Sequence, residues 1–285
     1  MELERYSLTY FRSDICVTPY GTINDFRYLP RPYAGVGYIK KGQATLTEYL
    51  NATGTETRVT PISEGMIFYV PRGSTYDSSW TYAGTSHHYS IHFEIPSGTF
   101  NSQRTYVEAI PCEKLIAASG NPSLDPEREF TVIHELFLSD DHNVQQRFEI
   151  MSRFFRILAA LHPCLEKKIA SPLDREIEPA LDYIRIHCAE PLQVPLLASL
   201  CGLSESHFYA RFRRATGLTP IEYKNRVAIS SAGRILIDEP EVPVEEVSAR
   251  MGFASSSYFR RVFARIAGCP PRDYRKNSMS PGQKY

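Results

Sequence analysis

Two short segments in the last third of the chain carry the residue types best suited to grip a nucleic acid. In the first, Ser204 to Ala215, Phe208 and Phe212 stand one helical turn apart. At about 100° per residue the opposite side presents Ser206, Ala210, Arg213 and Arg214, flanked by His207 and Tyr209. In the second, Phe259 and Phe263 repeat the apolar pair, and Ser257, Arg261 and Arg265 point away from it with Arg260 alongside. A guanidinium on an exposed helix can hold a guanine edge through two hydrogen bonds or pair with a phosphate, and a small neighbour lets the helix approach the groove floor. Cations of this kind also occur on plain solvated helix faces, so the weight falls on the repeat that contains them.

That repeat is the strongest signal in the sequence. Phe208, Phe212, Gly217, Pro220 and Tyr223 recur as Phe259, Phe263, Gly268, Pro271 and Tyr274, each 51 positions later. Upstream, LLASLCG ending at Gly202 and VEEVSARMG ending at Gly252 match at an offset of 50. Each copy reads as helix, glycine turn, helix, with Ser204 as the N-cap of the first reading helix. Between the copies, Thr219-Pro220-Ile221-Glu222 is a capping box with proline in the first helical position, which starts a helix running to about Ile237. Its length of ~27 Å is near the ~34 Å that separates successive major grooves, so both reading helices can enter adjacent turns of one duplex face. The formal net charge is zero, but Leu203 to Leu236 holds six basic and two acidic residues and Phe253 to Tyr285 seven and one, with the acids Asp238, Glu239, Glu241, Glu245 and Glu246 between them.

The first half has another character. Runs such as VGYIKKG, TLTEYL, GMIFYVPRG and HYSIHFEIP, broken by Gly and Pro, read as an antiparallel β sandwich or barrel. In HHYSIHFE, a period of two puts His88, Ser90, His92 and Glu94 on one face and His87, Tyr89, Ile91 and Phe93 on the other. Period 3.6 then takes over in two amphipathic helices, Phe130 to Leu138 and Arg147 to Leu161. The stretch from Pro163 through Ser171-Pro172 loses periodicity and marks a domain boundary. Six scattered cysteines show neither zinc nor disulfide spacing and read as plain thiols. The N-terminus lacks the pattern of a signal peptide and no run is long enough to span a membrane, so the expected location is the cytosol.

From Glu176 to Lys276 the sequence resembles the AraC/XylS family of bacterial transcription regulators, most of all in GFASSSYFRRVFARIAGCPPRDYR from Gly252 to Arg275. The resemblance implies base contacts at Ser206, Tyr209 and Ala210 in the first reader and at Ser256, Ser257 and Arg261 in the second. Ala228 and Ser248 depart from the family pattern, where arginine and alanine are usual, and the short side chains of Ala210, Ser256 and Ser257 shift the reading toward DNA shape and bridging water. The β-rich half resembles the family's cupin-like effector domain. In Gly65 followed by Pro71-Arg72-Gly73-Ser74-Thr75-Tyr76, Tyr76 takes the place of a metal-binding histidine, so no metal or other cofactor is expected. Arg31 and His88 match sugar-contacting positions of the arabinose regulator, and with Tyr33, Tyr76, Trp80 and His92 they make up a candidate ligand set. The family habit is for the two amphipathic helices to mediate dimerisation, though they can equally cap their own barrel.

The expected architecture is α+β with two domains: a cupin-like barrel or sandwich with two amphipathic helices over residues 1–165, and an all-α double helix-turn-helix domain over 172–285. The expected function is a homodimeric, sequence-specific regulator of transcription, an activator by family habit, that binds double-stranded DNA and a small-molecule effector of the sugar class and controls carbohydrate genes, with RNA polymerase as a further partner. Two alternatives stand beside it: a β domain that serves assembly alone, and a metal-dependent cupin enzyme.

Overall fold

The computed structural model describes residues 8, 10–27, 33–50, 54–95, 106–139, 143–165 and 172–279. The chain forms two compact units, Met1–Asp25 with Tyr33–Glu48 and Arg58–Lys168, and Phe26–Pro32 with Tyr49–Thr57 and Ile169–Tyr285.

The first unit is built from two sheets. Strands β1 (Tyr10–Pro19), β3 (Ala34–Lys41), β6 (Met66–Val70), β8 (Thr85–Glu94) and β9 (Glu108–Pro111) form a five-stranded sheet in the order β1-β8-β3-β6-β9. Strands β2 (Ile23–Asp25), β4 (Gln43–Tyr49), β5 (Thr57–Ser63) and β7 (Tyr76–Trp80) form a four-stranded sheet in the order β2-β7-β4-β5. The larger sheet has two different faces, as the period-two pattern of β8 requires. Tyr89, Ile91 and Phe93 join Val36, Tyr38, Ile67 and Tyr69 in a core covered by helices, while His88, Ser90 and His92 are paired with Ile39, Gly37 and Gly35 on the opposite face. Gly37 is obligatory there, because a Cβ would lie 2.2 Å from the Phe68 ring and 2.5 Å from the Tyr89 carbonyl.

The covering helices are α1 (Cys112–Ser119), α2 (Pro126–Leu138) and α3 (Val144–Leu161). Both amphipathic helices start earlier than their apolar periods suggest, since their caps lie outside the apolar stripe. Asp125 accepts a hydrogen bond from the Arg128 amide with Pro126 at the first position, and Asn143 accepts one from the Gln146 amide. Phe130 and Ile133 of α2 and Phe154 and Ile157 of α3 are fully buried on the sheet. The two helices are tied by Glu129, which receives Arg153 at 2.9 Å and Arg156 at 2.8 Å. No described helix is long and apolar enough to cross a membrane.

The second unit is helical: α4 (Pro172–Ile186), α5 (Val194–Leu200), α6 (Glu205–Thr216), α7 (Pro220–Asp238), α8 (Val244–Arg250), α9 (Ser256–Ala267) and α10 (Pro271–Met279). It holds two small cores. One gathers Ile177, Leu181, Ile184, Leu197, Phe208 and Phe212, with Tyr223 packed against it. The other gathers Ile229, Ala232, Leu236, Val244, Val247, Phe259 and Phe263. The capping box is formed as expected: the Thr219 hydroxyl accepts from the Glu222 amide at 3.3 Å, and the Glu222 carboxylate accepts from the Thr219 amide at 2.8 Å. Helix α7 packs on α4 and α6 at one side of the unit and on α8, α9 and α10 at the other.

Candidate nucleic-acid interface and barrel interior

The outward faces of α6 and α9 follow from how these helices bury their phenylalanines. Phe208 and Phe212 are wholly inaccessible, as are Phe259 and Phe263. Helical geometry then turns the intervening residues outward. On α6, Ser206, His207, Tyr209, Ala210, Arg213 and Arg214 are all exposed. On α9, Ser257, Arg260, Arg261 and Arg265 are exposed and Ser256 is half-buried. Ser204 stands at the N-cap of α6 but makes no side-chain capping bond, whereas Ser255 caps α9 by accepting from the Tyr258 amide.

The cations of the two faces are held differently. On α9, the Arg261 guanidinium lies 5.4 Å above the centre of the Tyr258 ring. Arg260 is ion-paired with Glu245 of α8. Neither partner is apparent from composition, although Tyr258 stands one turn before Arg261 and Glu245 falls in the acidic stretch. On α6, Arg211 reaches back to Glu176 of α4 at 3.6 Å. Hydrogen bonds from the Thr219 backbone and hydroxyl hold the Glu222 carboxyl below its usual range, and the charges of Arg213 and Arg265 add to that effect.

In the first unit, Tyr33, Tyr76, Trp80, His88 and His92 are all buried, and Arg31 lies outside the described residues. Four of them fall into two stacks. The Trp80 ring lies on His88 with centroids 4.5 Å apart, bridging the two sheets, and Phe68 meets the same imidazole edge-on at 5.8 Å. Tyr33 lies on His92 at 4.6 Å and on Tyr10 at 5.3 Å. Tyr76 shares the inward face of β7 with Ser78 and Trp80. Ser78 accepts from the Trp80 indole at 3.2 Å, and His92 Nε2 is 2.8 Å from the Ser90 hydroxyl. Nδ1 of His88 is buried with no hydrogen-bond partner. Burial, reinforced by the neighbouring His87, pulls the pKa of His88 down to about 3, so the ring is neutral at ordinary pH. Glu94, at the end of the same face, is paired with Arg72 at 2.8 Å. Among the described residues no three His, Cys, Asp or Glu side chains are grouped closely enough to hold a metal ion.

Comparison with known proteins places these arrangements. Residues 197–277 match the model of a helix-turn-helix domain family. The MmsAB operon regulatory protein of Pseudomonas aeruginosa is 31% identical over 131 residues, 46% of this chain and 42% of that protein. The transcriptional activator RhaS of Klebsiella pneumoniae is 30% identical over 138 residues, 48% of each chain. The arabinose operon regulatory protein of Escherichia coli is 28% identical over 127 residues, 44% of this chain and 40% of that one. The chain thus spans under half the length of the curated relatives it matches. Among solved structures, ToxT of Vibrio cholerae with a bound unsaturated fatty acid has a TM-score of 0.56 at 14% identity, covering 94% of this chain and 95% of its own. An apo form of a ToxT variant gives a TM-score of 0.58 at 13% identity, covering 95% and 99%. The folds are alike across both units: strand-rich sheets followed by a double helix-turn-helix. Over the duplicated helix-turn-helix domain the chain is thus similar to regulators such as the arabinose operon regulatory protein, and over both units it shares the fold of ToxT.

Proposed function

We infer that the protein is a sequence-specific DNA-binding regulator of transcription, with α6 and α9 as its two reading helices. The observation that carries this reading is the pair of faces on which Arg213 and Arg261 stand exposed while the phenylalanines of the same helices are fully buried. A buried pair fixes each helix in rotation, so its outward side chains are presented in one orientation. Ser206, His207, Tyr209, Ala210 and Arg213 form the first contact set, and Ser256, Ser257, Arg260 and Arg261 the second. Footprinting identifies the operator, after which Arg261→Ala is expected to weaken binding by ~1–3 kcal/mol and relax base preference at one position. Unchanged affinity and preference would remove Arg261 from the readers.

The first unit serves as the sensor in this reading, with the interior of its two sheets as the effector site. The buried Nδ1 of His88 is a polar atom that a bound hydroxyl would satisfy, and the flat Trp80, Tyr33 and His92 rings offer stacking surfaces to a sugar ring. A neutral effector suits His88, which is itself uncharged. Sugars are the first class to test and carbohydrate genes the corresponding targets, with α2 and α3 as the surface for a second copy and RNA polymerase as a partner at the promoter. A sugar at ~100 times its dissociation constant adds ~2.7 kcal/mol to folding stability. No thermal shift across a broad panel of sugars would favour a first unit that serves assembly alone.

A further inference from the structure

The two reading helices differ in how their cations are held, and the difference sits at equivalent places in the repeat. Helices α5 and α8 correspond at an offset of 50 and helices α6 and α9 at 51, so Glu245 occupies the place of Pro195, and Arg260 that of Tyr209. The first copy therefore has an uncharged pair where the second has an acid and a base. In the second copy the two are joined: Arg260 is ion-paired with Glu245, with both side chains near half exposed, at 44% and 53%. Two of the acids beside it are taken up elsewhere, since Glu239 and Glu246 both hold Arg250, at 2.8 Å and 2.6 Å. Glu245 instead reaches the reading helix.

We propose that Glu245 competes with DNA phosphate for Arg260 and so acts as a built-in restraint on the second reader. The proposal rests on the DNA-binding reading above. An exposed ion pair is weak, and a phosphate in the right place displaces the carboxylate. On a well-matched duplex, where α9 is fully seated, Arg260 exchanges Glu245 for phosphate; on other sequences the carboxylate stays and its charge repels the backbone. Glu245 is in this sense a positioning residue that suppresses sequence-independent binding. The first copy lacks the pair at these two places, and the acid that meets its reading helix, Glu176, holds Arg211 instead.

A double-mutant cycle on the full-length protein tests it, with a fluorescently labelled duplex of mixed sequence as probe and salt varied stepwise. Glu245→Gln is expected to tighten binding by about 3–10-fold at low salt and to steepen the dependence of log K on log salt by about one. Arg260→Ala is expected to lower affinity more in the Glu245→Gln background than in the wild type, and most of the gain disappears when both changes are present. Glu241→Gln, which removes another exposed acid of the same stretch, is expected to change affinity by less than about twofold on the scale of an exposed surface charge. An equal gain from Glu245→Gln whether or not Arg260 is present, or an equal gain from Glu241→Gln, would overturn the restraint while leaving the DNA reading intact. Failure of the wild-type protein to bind any duplex, with its thermal melt intact, would instead overturn the DNA reading itself and the restraint with it.

Discussion

Gly202 and Gly252 hold the same place in the two copies, closing the turns before α6 and α9 with φ of +66° and +69°. Their surroundings differ: a Cβ at Gly202 meets nothing within 4 Å, whereas one at Gly252 would lie 1.7 Å from the Ala189 carbonyl oxygen. Both positions resist alanine through backbone strain, of ~1–2 kcal/mol. Gly252→Ala adds a collision with backbone that cannot swing aside, and urea unfolding should show it to be more destabilising than Gly202→Ala by about 1–3 kcal/mol. Equal losses would mean that the segment at Ala189 yields freely. His88 makes a prediction in acid. Its pKa falls from 6.5 to about 3 in the folded chain, so the unfolded chain takes up a proton that the folded one refuses. That contribution is complete above about pH 6.5 and fades as pH drops toward about 3, by ~1.4 kcal/mol per unit. His88→Phe, which keeps a flat ring beside Trp80, should flatten the loss of stability between about pH 6 and pH 4 in a urea titration; an undiminished slope would place the acid sensitivity on other groups. The sequence shows which residues share the inward face of β8, because a period of two is purely local. It does not show that Nδ1 of His88 is left without a hydrogen-bond partner, which depends on Phe68 and Trp80 arriving from two other strands.

The elements are legible in proportion to how far their signals are carried by neighbours in sequence. Helix α7 begins at Pro220, where the capping box puts it, because all four residues of the box are adjacent in the chain. Thr219→Ala should therefore destabilise the domain by ~0.5–2 kcal/mol in thermal unfolding, and an unaltered melting temperature would mean that packing alone sets the helix start. Helices α6 and α9 are legible from their paired phenylalanines, each of which lies one turn from the next and edge-on or tilted against further rings, such as Tyr223 for Phe212 and Tyr274 for Phe263. Removing one of them, as in Phe259→Ala, should lower stability by ~3–5 kcal/mol, an effect measurable as a shift in the urea midpoint. By contrast α1 carries one buried leucine, Leu115, in eight residues, too faint a stripe to be seen in sequence. The starts of α2 and α3 escape the apolar pattern for a related reason: Asp125-Pro126 and Asn143 are capping signals that precede the stripe, and periodicity alone does not register them.

For the whole molecule, a formal charge of zero conceals a cationic surface on α6 and α9. Among the described residues Arg213, Arg214, Arg261 and Arg265 are exposed and in no ion pair. If all four meet phosphates, log K for duplex binding should fall against log salt with a slope near about −4 per subunit. A slope close to zero would show that these side chains do not touch the backbone of the duplex. One arrangement inside the helical unit also bears on how such proteins are rebuilt. The first turn of α7 belongs to one small core through Tyr223, and its later turns belong to the other through Ile229, Ala232 and Leu236. The single helix is thus the closing wall of one module and the opening wall of the next, and the handover falls across Lys224 to Ala228. A chimera that exchanges one reading module between two relatives keeps both interiors intact when its junction is placed there, and leaves one interior with mismatched walls when it is placed in the loop at either end.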